Sequence, residues 1–414
     1  MNERECILQR SGVEPGITDE HMPRRRGAAR RRDSARNAAV VVALAGLLAV
    51  AAALAQAPAS GAETASALEA LTPRQLAGQR VVYSYHGLTP PAELLDAIRR
   101  GEAGGVIFFG ENIASRDQIR GVVADLQQAN AQSPVNAPLL MMTDQEGGIV
   151  RRLPGQPVLS AKQIGESPYG KAQAWLAGWG AGLNLKGVGM NVNLAPVLGV
   201  FRQPGNFLDR FGRSFGMDPQ KVALLGREFV TGQQFTGVAA TAKHFPGLGA
   251  AAANQDTDAG PVTLDLSLDT LRTVDEVPYP PAIAAGVQLV MPSWAVYPAL
   301  DPARPAGLSR RVIQDELRGR LGFRGVTITD ALEAGALQAF GSPPERAVLA
   351  AEAGADLLMF AARDVSLGTA GVGALAAALE SGRLERAAFT QAVARILDLR
   401  TRLGSNLPLQ PPSH

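Results

Sequence analysis

Eight short apolar runs, most of them separated by helical patterns, constrain this chain more than any other feature. They fall at 81–85, 105–109, 138–143, 190–195, 238–242, 287–291, 325–329 and 355–360. Each is apolar nearly throughout, and strict period-two alternation is mostly absent, as expected of parallel strands covered on both faces. The segments between them carry helical spacing. Leu94, Leu95 and Ile98 share one face after the first run, and Ile119, Val122, Val123 and Leu126 do so after the second. Ser309 is placed to cap a helix whose apolar face is Val312, Ile313, Leu317 and Leu321. The pattern predicts an α/β fold, a (β/α)8 TIM barrel over residues 71–404 with some long loops. A doubly wound open sheet is the alternative. No Gly-x-Gly-x-x-Gly opens the first helix, which counts against a dinucleotide-binding sheet.

The chain outside the barrel reads differently. Arg24, Arg25, Arg26, Arg30, Arg31, Arg32 and Arg36 crowd one segment, and residues 1–37 are expected to be disordered. Without these arginines the remainder is mildly acidic, so no nucleic-acid surface is expected. Residues 38–55 are apolar and uncharged. With the basic flank and the small residues that follow, 38–62 reads as a signal peptide for export or, if retained, a single membrane anchor. Arg31-Arg32 resembles a twin-arginine signal without its usual following residues, and Met22 is an alternative start. Residues 63–70 read as the end of a flexible linker and 405–414 as a polar, proline-rich tail. The single cysteine, Cys6, precedes the apolar run, so the exported part has no disulfide, thiolate nucleophile or Cys metal site. The histidines are His21, His86, His244 and His414, too few in the body for a His-rich metal site.

A barrel presents its chemistry at the carboxyl ends of its strands, and polar residues stand there: His86 after the first run, Asp144-Gln145-Glu146-Gly147-Gly148 after the third, Lys243-His244 after the fifth, Ser293-Trp294 after the sixth and Asp330 after the seventh. A carboxylate just past a buried strand costs free energy unless paired. Asp330 is therefore either the cap of a following helix, 331–334, or a nucleophile at the barrel mouth. Asp144 has the same two readings, and Gly147-Gly148 beside it permits close approach of a ligand to the backbone. Lys243-His244 is either a structural pair or two neighbouring donors for sugar hydroxyls or an anion, and Arg213 adds a donor from the loop after the fourth run.

The set Asp144-Gln145-Glu146-Gly147-Gly148, Asn193-Leu194-Ala195-Pro196-Val197, Arg213-Ser214-Phe215-Gly216, Lys243-His244-Phe245-Pro246-Gly247 and Thr329-Asp330 resembles glycoside hydrolase family 3. It is most similar to the single-domain bacterial β-N-acetylglucosaminidase branch. The motifs occur in the family's order over roughly 70–400. The resemblance implies a (β/α)8 barrel and retaining hydrolysis of a terminal β-linked sugar, N-acetylglucosamine in the nearest branch. It implies a carbohydrate as the partner and no cofactor. Asp330 matches the nucleophile; Asp144, Arg152, Arg213, Lys243 and His244 match residues that grip the sugar.

The departures fall in one loop. The branch follows Lys-His-Phe-Pro-Gly with a second His and, further on, an Asp-Ser-His that carries the acid/base. Here Leu248 replaces the second His, and Asn254-Gln255-Asp256 stands in place of Asp-Ser-His. Gly199 replaces an expected Asp. Three readings are open. Asp256 acts as acid/base, with Asp258 sharing the role or raising its pKa; Glu146 or Glu333 supplies the proton; or the barrel binds sugar without cleaving it.

Overall fold

The computed structural model describes residues 68–135, 137–405 and 407–412. The basic segment, the export signal or anchor, and the linker up to residue 67 lie outside the described residues. The linker ends sooner than expected, because Leu68 is already buried in the core.

Eight strands close a barrel: β1 (Val81–Tyr83), β2 (Gly105–Ile107), β3 (Leu140–Thr143), β4 (Val192–Asn193), β5 (Ala239–Phe245), β6 (Leu289–Pro292), β7 (Val326–Ala331) and β8 (Leu357–Met359). Every strand pairs in parallel with its neighbours in the chain, and β8 returns to β1 through Val81 opposite Leu358. Closure excludes the open doubly wound sheet. Two strands extend further than the apolar runs indicate: β5 continues through Lys243 and His244, and β7 through Asp330.

Strand residues divide between two cores. Val82, Ile107, Met142, Leu289, Ile328 and Leu357 pack inside the barrel. Val81, Tyr83, Val106, Met141 and Leu358 face the helical shell, where they meet Leu94, Ile98 and Leu126. Two buried faces explain the lack of alternation. Full burial of one such side chain is worth about 1.5–3 kcal/mol.

The shell helices start where the sequence supplies caps. Ser115 accepts from Gln118 N at 3.1 Å, and Asp218, ahead of Pro219, accepts from Gln220 N at 2.9 Å. Ser309 accepts from Val312 N at 3.3 Å, as its position predicts.

The amino-terminal end of the barrel is sealed by polar side chains. Asp356, fully buried, takes Arg318 Nη2 at 2.6 Å and Arg395 Nη2 at 2.7 Å. The tail packs across this end: Leu409 N donates to Gln234 O at 3.1 Å and Gln288 Nε2 to Gln410 O at 2.8 Å. Among the described residues no helix is long and apolar enough to cross a membrane.

Candidate active site

A cavity of about 550 Å3 opens at the carboxyl ends of the strands. Its lining includes the seven residues matched to the nucleophile, the sugar grip and the acid/base: Asp144, Arg152, Arg213, Lys243, His244, Asp256 and Asp330. They arrive from the loops after β3 and β4, from β5 and the loop after it, and from β7.

A charge network fixes one wall. Lys243 Nζ lies 2.6 Å from Asp144 Oδ1 and 2.8 Å from Glu146 Oε1. Arg213 grips Glu146 with two parallel bonds, Nε to Oε2 at 2.9 Å and Nη2 to Oε1 at 2.8 Å. Burial alone would raise the Glu146 carboxyl, but the Arg213 and Lys243 cations hold it well below the usual carboxylate range. Burial likewise works against the Lys243 ammonium, and Asp144 and Glu146 more than offset it, so its pKa is raised. Glu146 is thus ionised throughout the physiological range and has no proton to give. This removes it as a general acid.

His244 is buried beside these cations. Desolvation first, then Arg213 and Lys243, push its pKa well below the ordinary value, so the ring is neutral. Its Nε2 stands 3.7 Å from Asp330 Oδ2, beyond hydrogen-bond length. Its Nδ1 is buried, with no hydrogen-bond partner among the described residues.

Asp330 is part of β7 rather than the cap of a helix. Its Oδ1 accepts from Ala331 N at 2.8 Å, and the chain then turns, with the next helical turn at Gly335–Phe340. Trp294, from the segment after β6, braces this point by donating its indole N–H to Ala331 O at 2.9 Å. Burial first, with the Asp144 charge adding to it, raises the Asp330 carboxyl above its ordinary value, against Lys243, the Ala331 N–H and Arg213. A carboxyl at the barrel mouth, open to the cavity and close to the Lys243 and Arg213 cations, is suited in its carboxylate form to attack an electrophilic carbon.

The loop after β5 forms the facing wall. Leu248, in place of the second histidine, is buried and lines the cavity beside Phe207. Asp256, Thr257 and Asp258 border the cavity further out. Asp256 Oδ1 accepts from Asp258 N at 3.0 Å.

Several expectations change. Gly147 and Gly148, with φ of 112° and 57°, turn a short hairpin between Gln145–Gly147 and Val150–Arg151 and do not border the cavity. His86 is exposed, 3.3 Å from Glu111, and stays outside the cavity. Glu333 does border it, but its Oε2 accepts from Ala361 N at 3.0 Å and its Oε1 is buried with no partner among the described residues. The central place of Glu146 was missed, although a signal exists: Asp144 and Glu146 are two residues apart, and extended backbone turns such residues to one face. Also missed was Arg363, which forms an ion pair with Glu111 at 2.9 Å and lies 4.3 Å over the Phe109 ring at the rim. Among the described residues no cluster of His, Cys, Asp or Glu is arranged to hold a metal ion.

A parallel barrel whose mouth sets carboxyl groups and fixed cations around a polar cavity has the form of a barrel glycoside hydrolase. The glycosyl hydrolase family 3 N terminal domain matches residues 74–399, and the chain belongs to that family. It is 49% identical over 331 residues to an uncharacterized secreted glycosyl hydrolase of Arthroderma benhamiae, covering 80% of this chain and 93% of that one. It is 35% identical over 268 residues to a beta-hexosaminidase of Pseudomonas aeruginosa, covering 64% and 77%. Among solved structures it resembles a family 3 beta-N-acetylglucosaminidase from Paenibacillus at a TM-score of 0.75 and 37% identity, covering 83% of this chain and 65% of that one.

Proposed function

We propose that this glycoside hydrolase is an exported, retaining β-N-acetylglucosaminidase that releases terminal N-acetylglucosamine from glycans or cell-wall fragments. The observation that carries the reading is the convergence of the seven residues on one cavity, with the Asp330 carboxylate facing it. The names of the Pseudomonas and Paenibacillus relatives support the sugar, and the secreted Arthroderma relative and the apolar run at 38–55 support export.

In this reading Asp144, Arg152, Arg213, Lys243 and His244 hold the hydroxyls of the terminal sugar. Asp144, Lys243 and Arg213 are already held by the network with Glu146, so little of that wall is reorganised on binding. Asp330 attacks the anomeric carbon and forms a glycosyl ester, while an aspartate of the loop carrying Asp256 and Asp258 protonates the leaving oxygen. Water then releases the sugar with its configuration retained.

The test is hydrolysis of an aryl β-N-acetylglucosaminide by the wild-type chain and by Asp330→Asn. Wild-type turnover with a β-anomer as first product, lost in the variant, is the expected result. Binding of N-acetylglucosamine without turnover, or an α-anomer as first product, would contradict it.

A further inference from the structure

We propose that Asp258, rather than Asp256, donates the proton to the leaving oxygen and later accepts one from water; this rests on the retaining-hydrolase reading above. The two aspartates do different work in the loop. Asp256 builds its turn: the side chain accepts from Asp258 N at 3.0 Å, and its backbone oxygen accepts from Ala259 N and Gly260 N, each at 3.1 Å. The side-chain bond holds Asp256 Oδ1 as an acceptor within the turn. The Asp258 carboxylate accepts no hydrogen bond among the described residues, and Asp258 lines the cavity.

The loop is also clamped where Asp258 needs it. Thr257 O accepts from Ala336 N at 3.0 Å, and Asp258 O accepts from Gly335 N at 2.9 Å. Gly335 is part of the segment that leaves Asp330. A Cβ on Gly335 would stand 2.5 Å from Ala259 O and 2.8 Å from Asp258 O, so only glycine admits this approach. One stretch of chain therefore carries the nucleophile and fixes the backbone of its partner, which is how paired groups are held in reacting geometry. The other two carboxylates are unsuited. Glu146 is locked to Arg213 and Lys243, and Glu333 has one oxygen bonded to Ala361 N and the other buried.

The protonation state agrees. Burial, then the carboxylates of Asp330, Asp256 and Asp144, push the Asp258 carboxyl up to about 6 against the opposing Arg213 cation. Asp258 is itself exposed at the edge of the cleft, so solvent screens part of this upward shift, and the turn and clamp geometry carry the assignment. In the first step the Asp258 O–H proton passes to the glycosidic oxygen as the C1–O bond breaks with its electron pair. An Asp330 oxygen bonds to C1. In the second step the Asp258 carboxylate takes a proton from water. The water oxygen bonds to C1, and the ester pair returns to Asp330.

The experiment compares Asp258→Asn, Asp256→Asn and Glu333→Gln in the full chain, on dinitrophenyl β-N-acetylglucosaminide and on di-N-acetylchitobiose, with and without sodium azide. Asp258→Asn should lower kcat/KM on the disaccharide on the order of a hundred- to ten-thousand-fold and largely spare the first step with dinitrophenol as leaving group. It should turn over faster with azide, yielding the β-glycosyl azide, and lose the fall of kcat/KM above about pH 6. Asp256→Asn should weaken both substrates alike, without azide rescue. The assignment is overturned if Asp258→Asn slows both substrates equally and ignores azide, or if the leaving-group-dependent, azide-rescued pattern appears in Asp256→Asn or Glu333→Gln. A wild-type chain that cleaves neither substrate overturns the hydrolase reading and this assignment together.

Discussion

Replacing Glu146 with glutamine removes the one carboxylate shared by both cations of the site. Glu146 takes two bonds from Arg213 and one from Lys243 and is almost fully buried. Glutamine has nearly the same shape, so the change is one of charge and not of packing. Lys243 keeps Asp144 at 2.6 Å. Arg213 keeps no ion-pair partner among the described residues, and a buried cation without a partner costs about 3–5 kcal/mol. At roughly 2–4 °C per kcal/mol for a domain of a few hundred residues, Tm should fall on the order of 10 °C. The freed guanidinium still feels Asp144 and Asp330, so the sugar grip and the nucleophile should both be disturbed, with at least about a tenfold loss in kcat/KM. Scanning calorimetry and aryl-glycoside kinetics measure the two effects. The double variant Glu146→Gln/Arg213→Met removes the stranded charge and should recover much of the Tm while staying inactive. A single variant melting within about 1 °C of wild type would refute the account of the network.

Gly335→Ala should loosen the clamp on the loop that carries Asp258, because its Cβ would stand 2.5 Å from Ala259 O; kinetics should show a large fall in kcat with only a modest change in Tm. Acid should weaken the fold through Glu146. Its folded pKa lies below the unfolded value, so its contribution is fully present above about pH 4.3 and is lost as pH falls toward the folded value. Urea titrations should show wild type losing more stability than Glu146→Gln as pH falls below this point.

Much of this was legible in the sequence because it is local. Eight apolar runs mark the barrel, and the helical faces between them mark its shell. Strand ends were harder. Lys243 and Asp330 read as residues beyond their strands, since a buried charge is tolerable only when paired, and the partner of Lys243 is Asp144, 99 positions away. Distance in sequence also hid Glu146, which reads as a spare acid until Arg213, 67 positions away, folds against it. Gly147-Gly148 looked like a ligand-facing pair and is a hairpin turn, because glycine serves both ends and only the surrounding chain decides. The clamp between Asp258 and Gly335 runs through backbone groups, which leave no side-chain signature.

In the proposed reaction Asp330 bonds to the sugar. A slowly turned over fluorinated N-acetylglucosaminyl fluoride, followed by peptic digestion and mass spectrometry, tests it directly. One glycosylated peptide is expected, with the sugar ester on Asp330 and no adduct in Asp330→Asn. An adduct on Asp144, Asp256 or Asp258, or one that persists in Asp330→Asn, would contradict it.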